Sequence, residues 1–211
     1  MLSTETHLYE TEFLMSEPQT LLQLAGADLE PAKLDSACLI LIDMQNEYLA
    51  GPIAVANADM AIRNAQSLLA KARHAGASVI HVAHKGREGG LFDRDAERGQ
   101  FVEPLAPLPG EEIVEKNLPN AFAGTRLQSL LAESGSKDLI VVGFMTHMCV
   151  SSTARSALDL GFRVTIDADC CGTRDLPDGR GGVIDASTLH NVALVELSDR
   201  FAVIARNHEW Q

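Results

Sequence analysis

From about residue 36 onwards, short apolar runs alternate along the chain with longer stretches of helical period. A continuous apolar run bounded by turn residues is typical of a strand that is covered on both faces. The runs predict six strands, at 37–42, 78–83, 113–114, 138–144, 162–166 and 202–205. Helical spacing predicts four intervening helices, at 59–74, 125–133, 150–160 and 185–197. This alternation predicts a three-layer α/β/α fold with a six-stranded parallel sheet, which is a Rossmann-like arrangement.

The pattern before and between these elements divides the chain further. Residues 1–35 predict an N-terminal extension with one short helix at 20–24, and residues 36–211 predict a single domain. A long segment rich in Gly and Pro, at 85–110, separates the second strand from the third. Loops of this length are often lids, so it is a candidate cover for a pocket.

Composition narrows the class of protein. The chain has 211 residues, of which 46% are hydrophobic and 22% are charged, as expected of a globular enzyme with one continuous core. Its 17 basic and 29 acidic side chains give a formal net charge of -12. A chain that is so acidic repels phosphate backbones and anionic lipid, which argues against binding to nucleic acid or to a membrane surface. An anionic small molecule stays compatible with this charge, because a local cation can dominate inside a pocket.

Compartment is inferred from apolar runs and cysteines. No stretch approaches the roughly 20 apolar residues of a membrane helix, and no apolar run near the start is long enough for a secretory signal. The cysteines Cys38, Cys149, Cys170 and Cys171 do not form the pattern of a disulfide framework. We therefore expect a cytoplasmic protein.

Polar residues follow three of the predicted strands. In a parallel sheet, ligands bind beyond the carboxyl ends of the strands, where the strand order reverses. Asp43 follows the first strand, Lys116 the third, and the segment that ends at Cys149 the fourth. A cysteine at the start of a helix experiences the positive end of that helix, and a nearby ammonium favours the thiolate further. A carboxylate accepts the thiol proton, so the pattern predicts a nucleophilic triad, although such residues also occur as helix caps and inert packing.

Three sequence blocks resemble the isochorismatase-like cysteine hydrolases. They read LILIDMQNEY at 39–48, EKNLPNAFAGT at 115–125 and VGFMTHMCV at 142–150. All three stand in the order and spacing of the family, and the resemblance runs from about residue 36 to about 205. The family includes nicotinamidases, N-carbamoylsarcosine amidohydrolases and related amidases, together with isochorismatases, which hydrolyse a vinyl ether.

The resemblance assigns chemical roles to the polar residues. It implies that Cys149 attacks a carbonyl carbon, that Asp43 takes its proton and that Lys116 tunes both groups. It also implies a cis peptide bond between Phe144 and Met145. This bond aims the Met145 N–H, together with that of Cys149, at a developing oxyanion.

Further residues are candidates for the substrate pocket. Tyr48 stands where the family usually has a pocket-lining phenylalanine, and its alternative role is that of a core aromatic. Phe122 of the second block is assigned to the pocket, as is His84, which would form a polar wall. His147 is expected to contact the substrate or a neighbouring subunit. Gln45 either orients Asp43 or is structural.

A metal site is not expected. Metal-dependent nicotinamidases carry an Asp-x-His element close to the position of His84, and a further histidine downstream. Here Val82 stands two residues before His84, and no histidine occurs between His84 and His147. The sequence therefore predicts that the site uses neither a metal nor another cofactor.

The predicted activity is cleavage of a C–N bond, in an amide or carbamoyl group of a small molecule, through a thioester on Cys149. One alternative is vinyl ether hydrolysis, in which an aspartate donates the proton and no thiol is required. Another is a catalytically silent module that binds small molecules. The family resemblance also implies a closed homo-oligomer, a dimer or a tetramer.

Overall fold

A computed structural model describes residues 17–206 and residue 210. Its strands are β1 (Cys38–Ile42), β2 (Ser78–His84), β3 (Glu112–Lys116), β4 (Asp138–Phe144), β5 (Arg163–Gly172), β6 (Leu176–Pro177), β7 (Val183–Ile184) and β8 (Val203–Ala205). Its helices are α1 (Leu21–Leu24), α2 (Ala58–His74), α3 (Leu127–Ser134), α4 (Ser151–Asp159) and α5 (Ala186–Arg200). Six strands form one parallel sheet in the order β3-β2-β1-β4-β5-β8, which confirms the predicted fold class.

The strands and helices form where the apolar pattern requires burial. All five residues of β1 are buried, because the strand lies in the middle of the sheet with both faces covered. In α2 the buried residues recur three or four positions apart and form one apolar face. Within the described part of the chain, no helix combines the length and the apolar character that crossing a membrane requires.

The order of the strands creates one switch point. The chain runs from β1 outwards to β2 and β3, and then returns to β4 on the other side of β1. Right-handed crossovers therefore place α2 on one face of the sheet and α3, α4 and α5 on the other. The crevice between the carboxyl ends of β1 and β4 is the expected place for a ligand.

The fifth strand is longer than the sequence predicts. The apolar run indicated an end at residue 166, whereas β5 continues to Gly172. Asp167 is buried, and its Oδ1 accepts the N–H groups of Asp169 and Cys170, at 2.9 and 3.2 Å, beside a register shift in the β4–β5 ladder. Its polar side chain therefore satisfies backbone groups inside the strand, where the sequence pattern indicated a strand end.

The segment before β1 packs against the domain. Leu34 and Ala32 are buried, and the Ala32 N–H donates to Thr165 Oγ1 over 2.9 Å. The Leu21 N–H donates to Asp199 Oδ1 over 2.8 Å, which ties α1 to α5. Residues 1–16 of the predicted extension lie outside the described residues, and the domain boundary at residue 36 stays a prediction.

Candidate active site

The three predicted catalytic side chains meet at the carboxyl edge of the sheet. Asp43 follows β1, Lys116 ends β3, and Cys149 lies in the helical turn after β4. The Lys116 Nζ donates to Asp43 Oδ2 over 2.7 Å and to Cys149 Sγ over 3.3 Å. All three side chains are buried. The geometry is thus that of a compact Asp–Lys–Cys cluster at the switch point.

Two left-handed backbone positions shape this crevice. Asp43 has φ +51° although it carries a side chain, a conformation that is uncommon and occurs at functional sites. Gly143 in β4 has φ +126°, and a Cβ there would lie 2.0 Å from the carbonyl oxygen of Ile42. Only glycine fits at this position, so β1 and β4 approach closely just before the two reactive side chains.

Cys149 is presented by an irregular helical turn. The peptide bond between Phe144 and Met145 is cis, as the family resemblance implied. One π-helical turn, Thr146–Val150, follows and continues directly into α4. The N–H groups on both sides of Cys149 donate to the Met145 carbonyl oxygen, at 3.0 and 3.3 Å. Single π turns of this kind are frequent at functional sites.

A second layer of residues anchors this turn, and sequence reasoning missed it. Thr146 Oγ1 donates to the Gly172 carbonyl oxygen over 3.1 Å and lies 2.9 Å from His190 Nδ1. His190 belongs to α5, more than forty residues away along the chain. A lone histidine in a helix carries no sequence signal for such a contact.

Burial dominates the electrostatics of the thiol. It raises the pKa of Cys149 to about 12, and the negative charge of Asp43 contributes in the same direction. The ammonium of Lys116 lowers this pKa but does not compensate for burial. Burial therefore opposes the thiolate that the helix and the lysine favour. A base that accepts the thiol proton promotes its ionisation.

Asp43 has a free oxygen for that proton. Its Oδ2 accepts from Lys116, whereas its buried Oδ1 has no hydrogen-bond partner among the described residues. Burial raises the pKa of this carboxyl, and Lys116 opposes the rise. A buried carboxylate oxygen that has no partner and is unusually basic is suited to accept a proton from the neighbouring thiol.

His84 lies against the same lysine. Its Nδ1 is 3.2 Å from Lys116 Nζ, and burial together with the lysine charge lowers the pKa of His84 to about 4. Gln45 holds the backbone of His84, since its Oε1 accepts the His84 N–H and its Nε2 donates to the His84 carbonyl oxygen. Gln45 therefore has the structural role, and it supports His84, not Asp43.

Tyr48 packs as a core aromatic close to the reactive cluster. Its side chain is buried, and its ring lies 5.6 Å from Phe144 and 5.1 Å from Phe92. Burial and the charges of Asp43 and Cys149 raise the pKa of its hydroxyl. Tyr48 is thus a core aromatic that also borders the reactive cluster.

Phe122 packs on another aromatic residue, and its place in the pocket stays a prediction. The ring of Phe122 stacks on that of Phe162, with centroids 6.1 Å apart. Phe162 precedes β5 at the amino end of that strand, whereas the reactive cluster lies at the carboxyl ends. This contact joins the Phe122 ring to the core.

His147, in the turn that carries Cys149, contacts the segment directly after β5, which includes Arg174. His147 Nδ1 is 2.5 Å from Thr173 Oγ1, and its buried Nε2 has no partner in the described part of the chain. Burial and the charge of Arg174 lower the pKa of His147. The same charge lowers the pKa of Tyr48, against the rise that burial causes. A single arginine after a strand follows no motif, which is why the sequence did not reveal it.

The long loop is fixed against the site. Its residue Phe92 donates its N–H to the buried carboxylate of Glu47 over 2.8 Å, and Arg98 pairs with the same carboxylate. The Phe92 ring then lies 4.8 Å from the ring of His84. The loop therefore packs against His84 beside the reactive cluster, and Glu47 is a buried anchor that no motif indicated.

The residues present do not fit a metal centre. The ligand atoms of Asp43, His84 and Cys149 lie within 4.8 Å of one another, which is close enough for a shared cation. The Lys116 ammonium, however, already contacts all three of them, at 2.7, 3.2 and 3.3 Å. A fixed positive charge at this point repels a metal ion. The second histidine of this strand, His81, is buried and bonds Glu111 over 2.9 Å.

Comparison with known proteins agrees with this geometry. The family model described as Isochorismatase domain matches residues 37–209. The secreted isochorismatase effector Isc1 of Verticillium dahliae is 35% identical over 187 residues, which cover 88% of this chain and 96% of the relative. Nicotinamidase 3 of Arabidopsis thaliana is 30% identical over 185 residues, which cover 80% of this chain and 83% of the relative.

A solved structure extends the likeness to the fold. The crystal structure of an isochorismatase from Pseudomonas putida KT2440 has a TM-score of 0.89 at 45% identity, and the match covers 92% of this chain and 100% of that one. The family match spans most of the described domain, and the three sequence blocks lie at the carboxyl ends of β1, β3 and β4. This chain therefore belongs to the isochorismatase family and is a hydrolase.

Proposed function

We propose that this hydrolase cleaves a C–N bond, in an amide or carbamoyl group of a small molecule, through a thioester on Cys149. One observation carries the proposal. A buried thiol stands beside a carboxylate whose Oδ1 has no partner among the described residues, and one ammonium contacts both groups. This set supplies a nucleophile, a base and a counter-charge. The nicotinamidase among the relatives supports amide chemistry in the family.

In the first half-reaction the thiol proton passes to Asp43 as Cys149 Sγ bonds to the carbonyl carbon. The raised pKa of Asp43 favours this transfer, and Lys116 stabilises the thiolate character that sulfur gains as the proton leaves. As the C–S bond forms, the negative charge passes to the carbonyl oxygen. When the tetrahedral intermediate collapses, the C–N bond breaks and Asp43 returns the proton to the leaving nitrogen. The products of this stage are the free amine or ammonia and the thioester.

In the second half-reaction water attacks the thioester carbon and gives a proton to Asp43. Collapse breaks the C–S bond and restores the Cys149 thiol, which takes the proton back. The oxyanion of both steps is assigned to the N–H groups of Met145 and Cys149. The N–H groups of Met148 and Val150, which flank Cys149, already donate to the Met145 carbonyl oxygen and are not available to an oxyanion. This supports the assignment.

Vinyl ether hydrolysis is the competing chemistry, because two of the relatives are named isochorismatases. That reaction requires an acid and no thiol nucleophile. The buried Asp–Lys–Cys cluster therefore favours the amide reaction over it. A small-molecule substrate, a homo-oligomer and a cytoplasmic location remain predictions.

A substrate panel with one variant tests the proposal. Amides, carbamoyl compounds and isochorismate are offered to the parent enzyme, and an acyl adduct is sought on Cys149 by rapid quench and intact mass. We expect turnover of at least one amide or carbamoyl compound, and its loss in Cys149→Ala. Unaltered turnover by Cys149→Ala, or turnover of isochorismate alone, would contradict the thioester route.

A further inference from the structure

The ammonium of Lys116 has three partners, one for each of its N–H bonds. Asp43 Oδ2 lies at 2.7 Å, His84 Nδ1 at 3.2 Å and Cys149 Sγ at 3.3 Å. An ammonium has three donors and no acceptor. The three contacts therefore use its whole donor capacity, in a place where the lysine side chain itself is fully buried.

The contact with Lys116 determines which ring nitrogen of His84 carries the proton. Because the ammonium only donates, Nδ1 must be the acceptor, and the proton of the neutral ring is on Nε2. The neutral form agrees with the low pKa of about 4, which burial and the lysine charge produce. The charged or titratable groups that face this ring are therefore Lys116 itself and, beyond it, Asp43 and Cys149.

His84 is itself held from two directions. The buried Gln45 binds its backbone N–H and carbonyl oxygen, at 2.8 and 3.0 Å, and also the Gly99 carbonyl oxygen at 2.7 Å. The Phe92 ring packs against the imidazole at 4.8 Å between centroids. A side chain fixed on both its backbone and its ring is suited to orient another group.

We propose that His84 is a positioning residue that holds the Lys116 ammonium between Asp43 and Cys149. The inference rests on the proposed function in so far as Asp43 and Cys149 form the reacting pair. Without the Nδ1 acceptor, one buried N–H of Lys116 has no partner, and the ammonium is free to turn away from the sulfur.

Alkylation of Cys149 tests this role without any substrate. Iodoacetamide labelling is followed at fixed pH by intact mass and peptide mapping, and Cys149→Ala supplies the background from the other cysteines. We expect His84→Leu to lower the labelling rate about tenfold, which corresponds to a rise of one unit in the pKa of the thiol. His84→Asn keeps an acceptor oxygen near the position of Nδ1, and we expect its rate to stay close to that of the parent.

A second variant keeps the test decisive if the leucine side chain disturbs the fold. In His84→Ala, added imidazole can occupy the vacated space and accept the lysine N–H. We expect imidazole to restore labelling in His84→Ala and to leave the parent unchanged. Equal rates for parent, His84→Asn and His84→Leu, or no rescue by imidazole, would overturn the proposal.

The outcome is separable from that of the proposed function. If the parent hydrolyses no amide while the His84 variants shift the labelling as expected, the positioning role stands and the proposed reaction fails. If amides are hydrolysed through Cys149 while labelling is indifferent to His84, the reaction stands and the positioning role fails.

Discussion

Lys116 is the residue whose charge links the two acidic groups of the site. It contacts Asp43 and Cys149 directly and lowers the pKa of the thiol. Lys116→Met keeps much of the volume and removes the charge. Loss of a close charge partner changes a pKa by roughly 1–3 units. We therefore expect iodoacetamide labelling of Cys149 at fixed pH to slow by about tenfold or more, together with loss of turnover.

Lys116→Arg is the matched control for this experiment. It retains the charge but replaces a compact ammonium by a planar guanidinium, which does not reproduce three short contacts in a buried space. We expect labelling between those of the parent and Lys116→Met. A labelling rate in Lys116→Met equal to that of the parent would show that the lysine does not act on the thiol.

Asp43 determines the behaviour of the enzyme in acid. The carboxyl serves as a base only while it is ionised, and burial raises its pKa above the value of about 3.9 for an ordinary aspartate. Activity is therefore present above the raised pKa and is lost as the pH falls through it. We expect the acid limb of kcat/KM to lie above about pH 4. Circular dichroism at each pH separates this titration from unfolding, and an acid limb below that value would contradict the assignment.

At the scale of elements, the long loop depends on one buried carboxylate. Glu47 accepts the Phe92 N–H and pairs with Arg98, although it is only 2% exposed. Removing such an acceptor leaves a buried N–H unpaired, so we expect Glu47→Ala to lower the free energy of unfolding by about 1–3 kcal/mol. We also expect KM to rise, because the Phe92 ring of this loop packs against His84 beside the reactive cluster, where a substrate would bind.

Glu112→Ala is the control for the Glu47 substitution. Glu112 pairs with Arg126 on the surface, where both side chains are about half exposed, and such pairs contribute at most about 1 kcal/mol. Urea unfolding measures the stability of both variants, and initial rates measure KM. Equal effects of the two substitutions would show that the loop does not depend on Glu47.

The elements themselves were largely predictable, because strand and helix differ in the period of their apolar residues. Burial on both faces made β1 and β4 continuous apolar runs, and their ends indicated Asp43 and Cys149. The end of β5 was predicted too early because of Asp167. Its polar side chain interrupts the apolar run, although in the structure it accepts N–H groups of its own strand.

The site was predictable only as far as position in the fold decides it. Strand ends and the family's blocks indicated the reactive cluster, but neither indicates the depth of burial, which raises the pKa of Cys149. Contacts between distant side chains were likewise invisible. The pairing of His84 with Lys116 and the contact of Thr146 with His190 depend on side-chain directions in three dimensions, which sequence spacing does not record.

At the scale of the whole molecule, we expect the segment before β1 to unfold in the same cooperative transition as the sheet. Leu34 is 5% exposed and joins the main core, whereas Leu29 is 42% exposed. Both substitutions to alanine remove the same atoms from neighbouring positions of one segment. Truncation of a buried leucine typically costs about 2–5 kcal/mol, and truncation of an exposed one about 0.5 kcal/mol or less.

We therefore expect Leu34→Ala to shift the urea midpoint of a single transition clearly, and Leu29→Ala to leave it nearly unchanged. Fluorescence of Trp210 and far-UV circular dichroism should report the same transition, since Trp210 is buried and its carbonyl oxygen accepts from Lys71 of α2 over 2.7 Å. Two separate transitions, or equal midpoints for the two variants, would mean that this segment is an appendage and that the domain begins at residue 36. If Leu34→Ala alone lowers the midpoint, and both probes report the same single transition, the domain boundary lies before residue 34.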